Sequence, residues 1–538
     1  MQSPARAENA HAGAANPEAR VTVREAVLRL FRAFGMTTVF GNPGSTELPM
    51  FRAFPDDFRY VLGLQESIVV GMADGYAQAR RNASLVNLHS AVGVGHAMGN
   101  IFTAYKNQTP LVITAGQQAR SILPFEPFLY SARPTELPQP YVKWSLEPAR
   151  AEDVPLALAR AYYVAMQPPR GPVLVSIPVD DWDRMCDPVE PRQVSETLRG
   201  EPSLIETVAR ELAAAERPAF VVGAGVARDD AWDEVIALAE RHQARVYVSP
   251  LSARNSFPEN HRLFAGFLAA DRARIVAGLA GHDVILVLGA PAFTYHVEGV
   301  GPHIPTGAKL LQLVDEPGMA AWAPVGISVV TSLKAGIRDL LAGPAPRPRS
   351  APDKLVRPPR QSGSPFTDKY LAQQLAALRP PGSIIVEEAP STRTPMHDYL
   401  PILERDTFYT CASGGLGHGL PAAVGVALGR PGEKVIALLG DGSSMYSIQG
   451  LWTAAQLKLP ITFIIVNNGK YDALVQFGQH FGLDRTVGTN LAGIDFCGLA
   501  VSQGCKAVRV ERADMLDNAL RAALVAAEPT LVEVVVES

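Results

Sequence analysis

The chain has 538 residues, 47% of them apolar and 19% charged, a globular balance that is too apolar for a disordered protein. A formal charge of −4 leaves no basic excess to neutralise phosphates, so no nucleic-acid partner is expected. Residues 1–20 lack the apolar core of a signal peptide and read as a disordered tail; with no run of 18 apolar residues, no membrane span and a cytoplasmic location are expected.

After the tail, Val23, Ala26, Val27, Leu30, Phe31 and Phe34 recur at helical spacing. The short apolar run Thr37 to Phe40 predicts a strand, ending in the tight loop Gly41-Asn42-Pro43-Gly44-Ser45. A second strand is predicted over Tyr60 to Leu64, then a helix from Glu66 to Arg80. Further strands are predicted over Ser84 to Leu88 and Leu111 to Ala115, with a glycine-rich helix start near Gly93 between them. Short apolar strands alternating with helices indicate a parallel α/β unit.

The pattern restarts at Pro218, whose strand runs into Gly223-Ala224-Gly225, and continues in the buried strand beginning at Asp283. It restarts again with strands at Ser383–Val386, Val435–Leu439 and Ile461–Val466, and closes with the β-branched run Thr530–Val536. The expected class is α/β, with three doubly wound parallel-sheet domains over residues 21–190, 203–342 and 365–538. A proline- and arginine-rich linker over 343–364 separates the last two. Four cysteines (Cys186, Cys411, Cys497 and Cys505) include no C-x-x-C pair, as expected for reduced, packed thiols rather than a zinc site or disulfide framework.

The strongest local signal is Gly440-Asp441-Gly442-Ser443 directly after one strand, with Asn467-Asn468-Gly469 directly after another. Both lie at strand carboxyl ends, where parallel sheets bind ligands. The glycines allow close approach to a phosphate, the following helix offers N–H groups, and Asp441 and Asn468 supply hard oxygens suited to Mg²⁺. Taken with Cys411-Ala412-Ser413-Gly414-Gly415-Leu416-Gly417-His418-Gly419 upstream, this pairing resembles the thiamine-diphosphate motif of the thiamine-dependent enzymes.

The resemblance implies thiamine diphosphate and Mg²⁺ as cofactors. It implies that Asp441, Asn468 and the backbone carbonyl of Lys470 hold the metal, and that Leu416 supports the bent thiamine from beneath. Ser391, Gly414, Gly442, Ser443 and Tyr471 would contact the cofactor. The three domains would then be pyrimidine-binding, central and diphosphate-binding. Glu66, within Leu64-Gln65-Glu66 and followed by Ala73-Asp74-Gly75-Tyr76-Ala77, matches the carboxylate that faces the aminopyrimidine. That carboxylate serves the diphosphate domain of a neighbouring subunit in the family, which implies a homodimer at minimum and points to a homotetramer.

Three loops narrow the branch: Gly41 to Ser45, Asn87-Leu88-His89-Ser90, and Tyr295-His296. From about residue 20 onward the chain resembles the benzoylformate decarboxylases among the thiamine-dependent 2-oxo acid decarboxylases. By that resemblance Ser45 hydrogen-bonds the substrate carboxylate, His89 protonates the first adduct, and His296 protonates the enamine carbon formed from the ylide adduct after CO₂ leaves. Two groups that titrate near neutrality suit this chemistry.

The expected reaction is decarboxylation of an aromatic 2-oxo acid (benzoylformate to benzaldehyde and CO₂), with side carboligation of aldehydes. Phe128, Leu129, Ala473, Leu474 and Phe477 are candidate pocket walls, as is Thr410, which stands where the aromatic decarboxylases carry Phe. The segment Glu387-Glu388-Ala389-Pro390-Ser391-Thr392 departs from the family's Ser- and Thr-rich stretch. The alternatives are a decarboxylase of other 2-oxo acids, or an acetolactate-synthase-like carboligase with FAD against Gly223-Ala224-Gly225.

Overall fold

In the computed structural model, residues 20–537 are described, so the predicted tail lies almost wholly outside the described residues. Three six-stranded sheets carry the chain. The first is built from strands between Thr38 and Pro178, the second between Pro218 and Val330, the third between Ile384 and Val535. Every strand pair within these sheets is parallel. Helices join most successive strands and cover both faces, which explains why central strands such as Leu111–Gln117 and Ile461–Asn467 are buried almost throughout rather than alternating. A two-residue antiparallel pair, Val21–Thr22 with Met185–Cys186, fastens the ends of the first unit together.

Local chemistry sets the element ends. Helix Val23–Ala33 starts at Thr22, whose hydroxyl accepts the Glu25 N–H, and buries the predicted stripe of Val23, Ala26, Val27, Leu30 and Phe31. Strand Arg59–Leu62 stops two residues before the predicted Leu64, because Gly63 and Leu64 already turn toward the next helix and Leu64 is half exposed. Gln65 then caps helix Glu66–Arg80, its Oε1 accepting the N–H groups of Ser67 and Ile68 at 2.7 and 3.2 Å. Residues 344–362 form no helix or strand, yet they are anchored. Arg349 donates to the carbonyls of Leu212, Ala213, Ala215 and His242, and Arg357 donates to those of Glu259 and His397.

The first and third sheets share one continuous core, in which Val69, Met72 and Ala73 pack with Leu420, Ala423, Val424 and Val426. Its centre is helix Glu66–Arg80 against helix Gly419–Gly429. The two backbones approach so closely that a Cβ on Gly75 would collide with the Ala422 carbonyl, and one on Gly425 with the Met72 carbonyl. Neither obstacle is a flexible side chain. Gly425→Ala is therefore expected to destabilise the protein by about 1–3 kcal/mol through overpacking. Denaturant unfolding with an unchanged midpoint would contradict this account of the contact.

Candidate active site

The loop after strand Thr38–Gly41 and the start of helix Glu66–Arg80 put Glu66 at the carboxyl edge of the first sheet. Glu66 is 8% exposed. Its Oε1 accepts from Asn42 Nδ2 at 3.4 Å and its Oε2 lies 3.1 Å from His96 Nδ1. Ser45 is exposed in the same loop. His89 ends strand Ser84–Leu88 and opens helix Ser90–Asn107.

The sequence reading missed the partner of His89. Glu47 is buried to 2% exposure; its Oε2 lies 2.9 Å from His89 Nδ1 and also accepts the Gly44 N–H at 2.8 Å. The Thr46 hydroxyl donates to Glu47 Oε1 at 2.6 Å. The carboxylate thus holds the imidazole by Nδ1 and leaves Nε2 for chemistry. Glu47 lies 42 positions from His89, so only its place beside the Gly44-Ser45 turn hinted at a role. Removing the charge while keeping the shape, in Glu47→Gln, should lower kcat by about 10- to 100-fold, the worth of one charge-assisted hydrogen bond. An unchanged kcat and pH profile would deny Glu47 this part.

At the third sheet, Asp441 follows strand Val435–Gly440, and Asn468 and Lys470 follow strand Ile461–Asn467, the adjacent strand. Asp441 Oδ1 accepts the Gly442 N–H at 2.7 Å and Oδ2 the Gly469 N–H at 2.8 Å. Asn468 Oδ1 accepts the Lys470 N–H at 3.2 Å, the Lys470 side chain turns to Asp472 at 3.2 Å, and the Lys470 carbonyl accepts the Asp472 N–H at 2.9 Å, keeping a second lone pair. Burial raises the Asp441 carboxyl above its ordinary value despite these N–H donors. Among the described residues no basic side chain forms a salt bridge with it. A buried carboxylate, an amide oxygen and a backbone carbonyl on two adjacent strand ends form a hard-oxygen donor set, which fits Mg²⁺.

Ser443 is buried in the turn of helix Asp441–Met445, and the Tyr471 ring covers Gly442 where a side chain would otherwise stand. Gly414 is exposed with φ +71°, and Leu416 is half-buried beside it. Ser391 is half-buried just after strand Ile384–Glu388.

The candidate pocket walls divide. His296, from the central unit, meets Phe477 on helix Asp472–His480 edge to face, with ring centroids 4.6 Å apart. Ala473 is half-buried and Leu474 exposed on that helix. Thr410 is fully buried, and its hydroxyl accepts from Arg393 Nη2 at 2.7 Å. Phe128 is 87% exposed on a loop of the first unit, and Leu129 next to it has φ +64°. Among the described residues of one chain, the side-chain hydrogen bonds of Glu66 reach Asn42 and His96, both in the first unit, while those of Asp441 stay in the third.

Residues 21–133 match the family model for the N-terminal TPP binding domain of thiamine pyrophosphate enzymes, 205–340 that for the central domain, and 391–534 that for the C-terminal TPP binding domain. The chain is 42% identical to a benzoylformate decarboxylase of Pseudomonas aeruginosa, over 95% of this chain and 98% of the relative. An acetolactate synthase large subunit of Haemophilus influenzae is 27% identical over 93% of this chain and 91% of its own length. Among solved structures, benzoylformate decarboxylase from Polynucleobacter necessarius superposes with a TM-score of 0.94 at 40% identity, covering 96% of this chain and 98% of that one. The thiamine diphosphate-dependent 4-hydroxybenzoylformate decarboxylase of Rhodococcus jostii RHA1 gives 0.93 at 41% identity, covering 96% and 99%. The chain belongs to the thiamine-diphosphate-dependent 2-oxo acid decarboxylase family, among the benzoylformate decarboxylase homologues, and is a carboxy-lyase.

Proposed function

We propose that this enzyme decarboxylates benzoylformate or a ring-hydroxylated benzoylformate to the aldehyde and CO₂, and joins aldehydes as a side reaction. The observation that carries the aromatic preference is the edge-to-face contact of His296 with Phe477, an imidazole packed on an aromatic ring. The 42% identity to a benzoylformate decarboxylase supports the same substrate class.

Bound thiamine diphosphate supplies the nucleophilic carbon and the electron sink for decarboxylation. Asp441, Asn468 and the Lys470 carbonyl would hold Mg²⁺, and Ser391, Gly414, Gly442, Ser443, Tyr471 and Leu416 would contact the cofactor. Glu66 would be the carboxyl that gives and takes a proton at the aminopyrimidine. The Ser45 hydroxyl orients the substrate carboxylate, and His89, held by Glu47, protonates the 2-oxo oxygen through Nε2. Once CO₂ has left, His296 would give the reacting carbon the proton that becomes the aldehyde hydrogen, and His89 would take back the hydroxyl proton as the aldehyde departs.

The separate hydrogen-bond networks of Glu66 and Asp441 support a homodimer with sites shared between subunits, paired further into a tetramer. Sedimentation of the holoenzyme as a monomer would contradict that assembly. No helix among the described residues is long and apolar enough to cross a membrane, in keeping with a cytoplasmic enzyme. The flavin alternative draws no support from the central glycines. The Gly223 and Gly225 N–H groups donate to the carbonyls of Leu288 and Gly289 at 2.9 Å, and both residues pack against Gly289.

A panel of benzoylformate, 4-hydroxybenzoylformate, phenylpyruvate, indole-pyruvate and pyruvate tests the reading. The expected kcat/KM is highest for the two benzoylformates. A preference for pyruvate, with acetolactate as product, would overturn it.

A further inference from the structure

The catalytic assignment leaves several buried acids unused, among them Glu388. Glu388 closes strand Ile384–Glu388 at the carboxyl edge of the third sheet and is 1% exposed. Its Oε1 accepts the N–H groups of Gly417 at 2.6 Å and His418 at 3.4 Å, and its Oε2 accepts the Gly419 N–H at 2.6 Å. Those three residues directly follow Leu416, and their N–H groups have no acceptor within helix Gly419–Gly429, which only begins there. Burial pushes the Glu388 carboxyl up to about 7 even though three N–H groups pull the other way, so the site retains an acid at an electrostatic cost.

The same segment is gripped from the opposite side. The buried His418 imidazole pairs through Nε2 with Asp74 of helix Glu66–Arg80, and Asp74 also accepts from Asn107 Nδ2 at 2.8 Å and Gln78 Nε2 at 3.1 Å. One acid from the third unit and one from the first therefore fix residues 417–419 between them. With its backbone pinned one residue downstream, Leu416 has little freedom to rise or sink.

We propose that Glu388 is a positioning residue, whose carboxylate sets the Gly417–Gly419 backbone and through it the height of the Leu416 side chain that supports the thiamine rings. The inference rests on the assignment of Leu416 as that support, and not on which 2-oxo acid the enzyme uses. A carboxylate suits the task because both oxygens accept. A glutamine in its place offers one acceptor and turns an N–H₂ toward either Gly417 or Gly419, replacing a charge-assisted hydrogen bond by a contact between donors.

The test is the Kd of thiamine diphosphate at saturating Mg²⁺, read from tryptophan fluorescence of the full chain, for wild type and Glu388→Gln. Thermal midpoints without cofactor are recorded alongside. The expected result is a Kd raised by about tenfold or more well below the midpoint. A role confined to folding would lower the midpoint and leave that Kd within about twofold of wild type, overturning the inference. Wild type that fails to bind thiamine diphosphate would overturn the cofactor assignment as well, which separates the two failures. Should the variant not fold, hydrogen exchange in the wild type decides. The Gly417 and Gly419 amides should exchange at least about a hundredfold more slowly than the exposed Gly414 and Gly415 amides. Equal rates would show that Glu388 does not hold them.

Discussion

Glu66→Gln should bind thiamine diphosphate as wild type does and lose about 10²- to 10⁴-fold in kcat, the range that proton transfer by a placed side chain contributes. Glutamine preserves the shape of the side chain, and its amide can still meet Asn42 and His96, so the helix start stays intact. Cofactor affinity should be spared because the diphosphate site is built from strand ends of the third sheet, to which Glu66 donates nothing within the chain. What disappears is a carboxyl able to take and return a proton. Stopped-flow kinetics together with a fluorescence titration separates the two quantities. Normal turnover would remove Glu66 from its role, whereas lost turnover with lost cofactor binding would indicate a collapsed site.

Asp441→Asn should raise the Mg²⁺ concentration needed for half-saturation of thiamine diphosphate binding by at least about a hundredfold. The carboxylate is the one full negative charge in the proposed donor set, and two N–H groups already depend on it. Asparagine halves the acceptors and sets an N–H₂ against the Gly442 or Gly469 N–H. The secondary structure should not change, since the strand before Asp441 is held by its sheet neighbours on both sides. Magnesium titrations followed by fluorescence, with circular dichroism as a control, measure both effects. Unaltered magnesium dependence would assign the metal to other residues.

How far the sequence alone reaches depends on how local each signal is. The pairing of Gly440-Asp441-Gly442 with Asn467-Asn468-Gly469 is legible because each motif follows an apolar strand, and adjacent parallel strands end on the same edge. The helix from Glu66 is legible because Ile68, Val69, Met72 and Ala73 give a periodic apolar face, whereas the Gln65 cap shows only in the structure. Glu47 is not legible, because its meaning comes from a contact with His89 made only when two strand ends meet.

Glu387 and Glu388 look from sequence like a polar break after an apolar run. In the sheet, adjacent residues point to opposite faces, so Glu387 reaches Arg393 while Glu388 reaches the Gly417–Gly419 amides, and both are buried. The edge strand Lys506–Val510 escaped the sequence reading for a related reason: with one flank paired and the other open, its Lys506 and Arg509 remain exposed and dilute the apolar pattern. Thr410 shows the converse, since a residue expected from the family resemblance to wall the pocket is buried here, its hydroxyl under Arg393.

The central claim, a thiamine-diphosphate-dependent decarboxylase of aromatic 2-oxo acids, is tested most directly by one assay on cofactor-stripped enzyme supplied with benzoylformate. The account predicts benzaldehyde and CO₂ in equal amounts, formed only when thiamine diphosphate and Mg²⁺ are both added back. No turnover of benzoylformate under those conditions, or a yellow flavin-bearing protein that makes acetolactate from pyruvate instead, would contradict it.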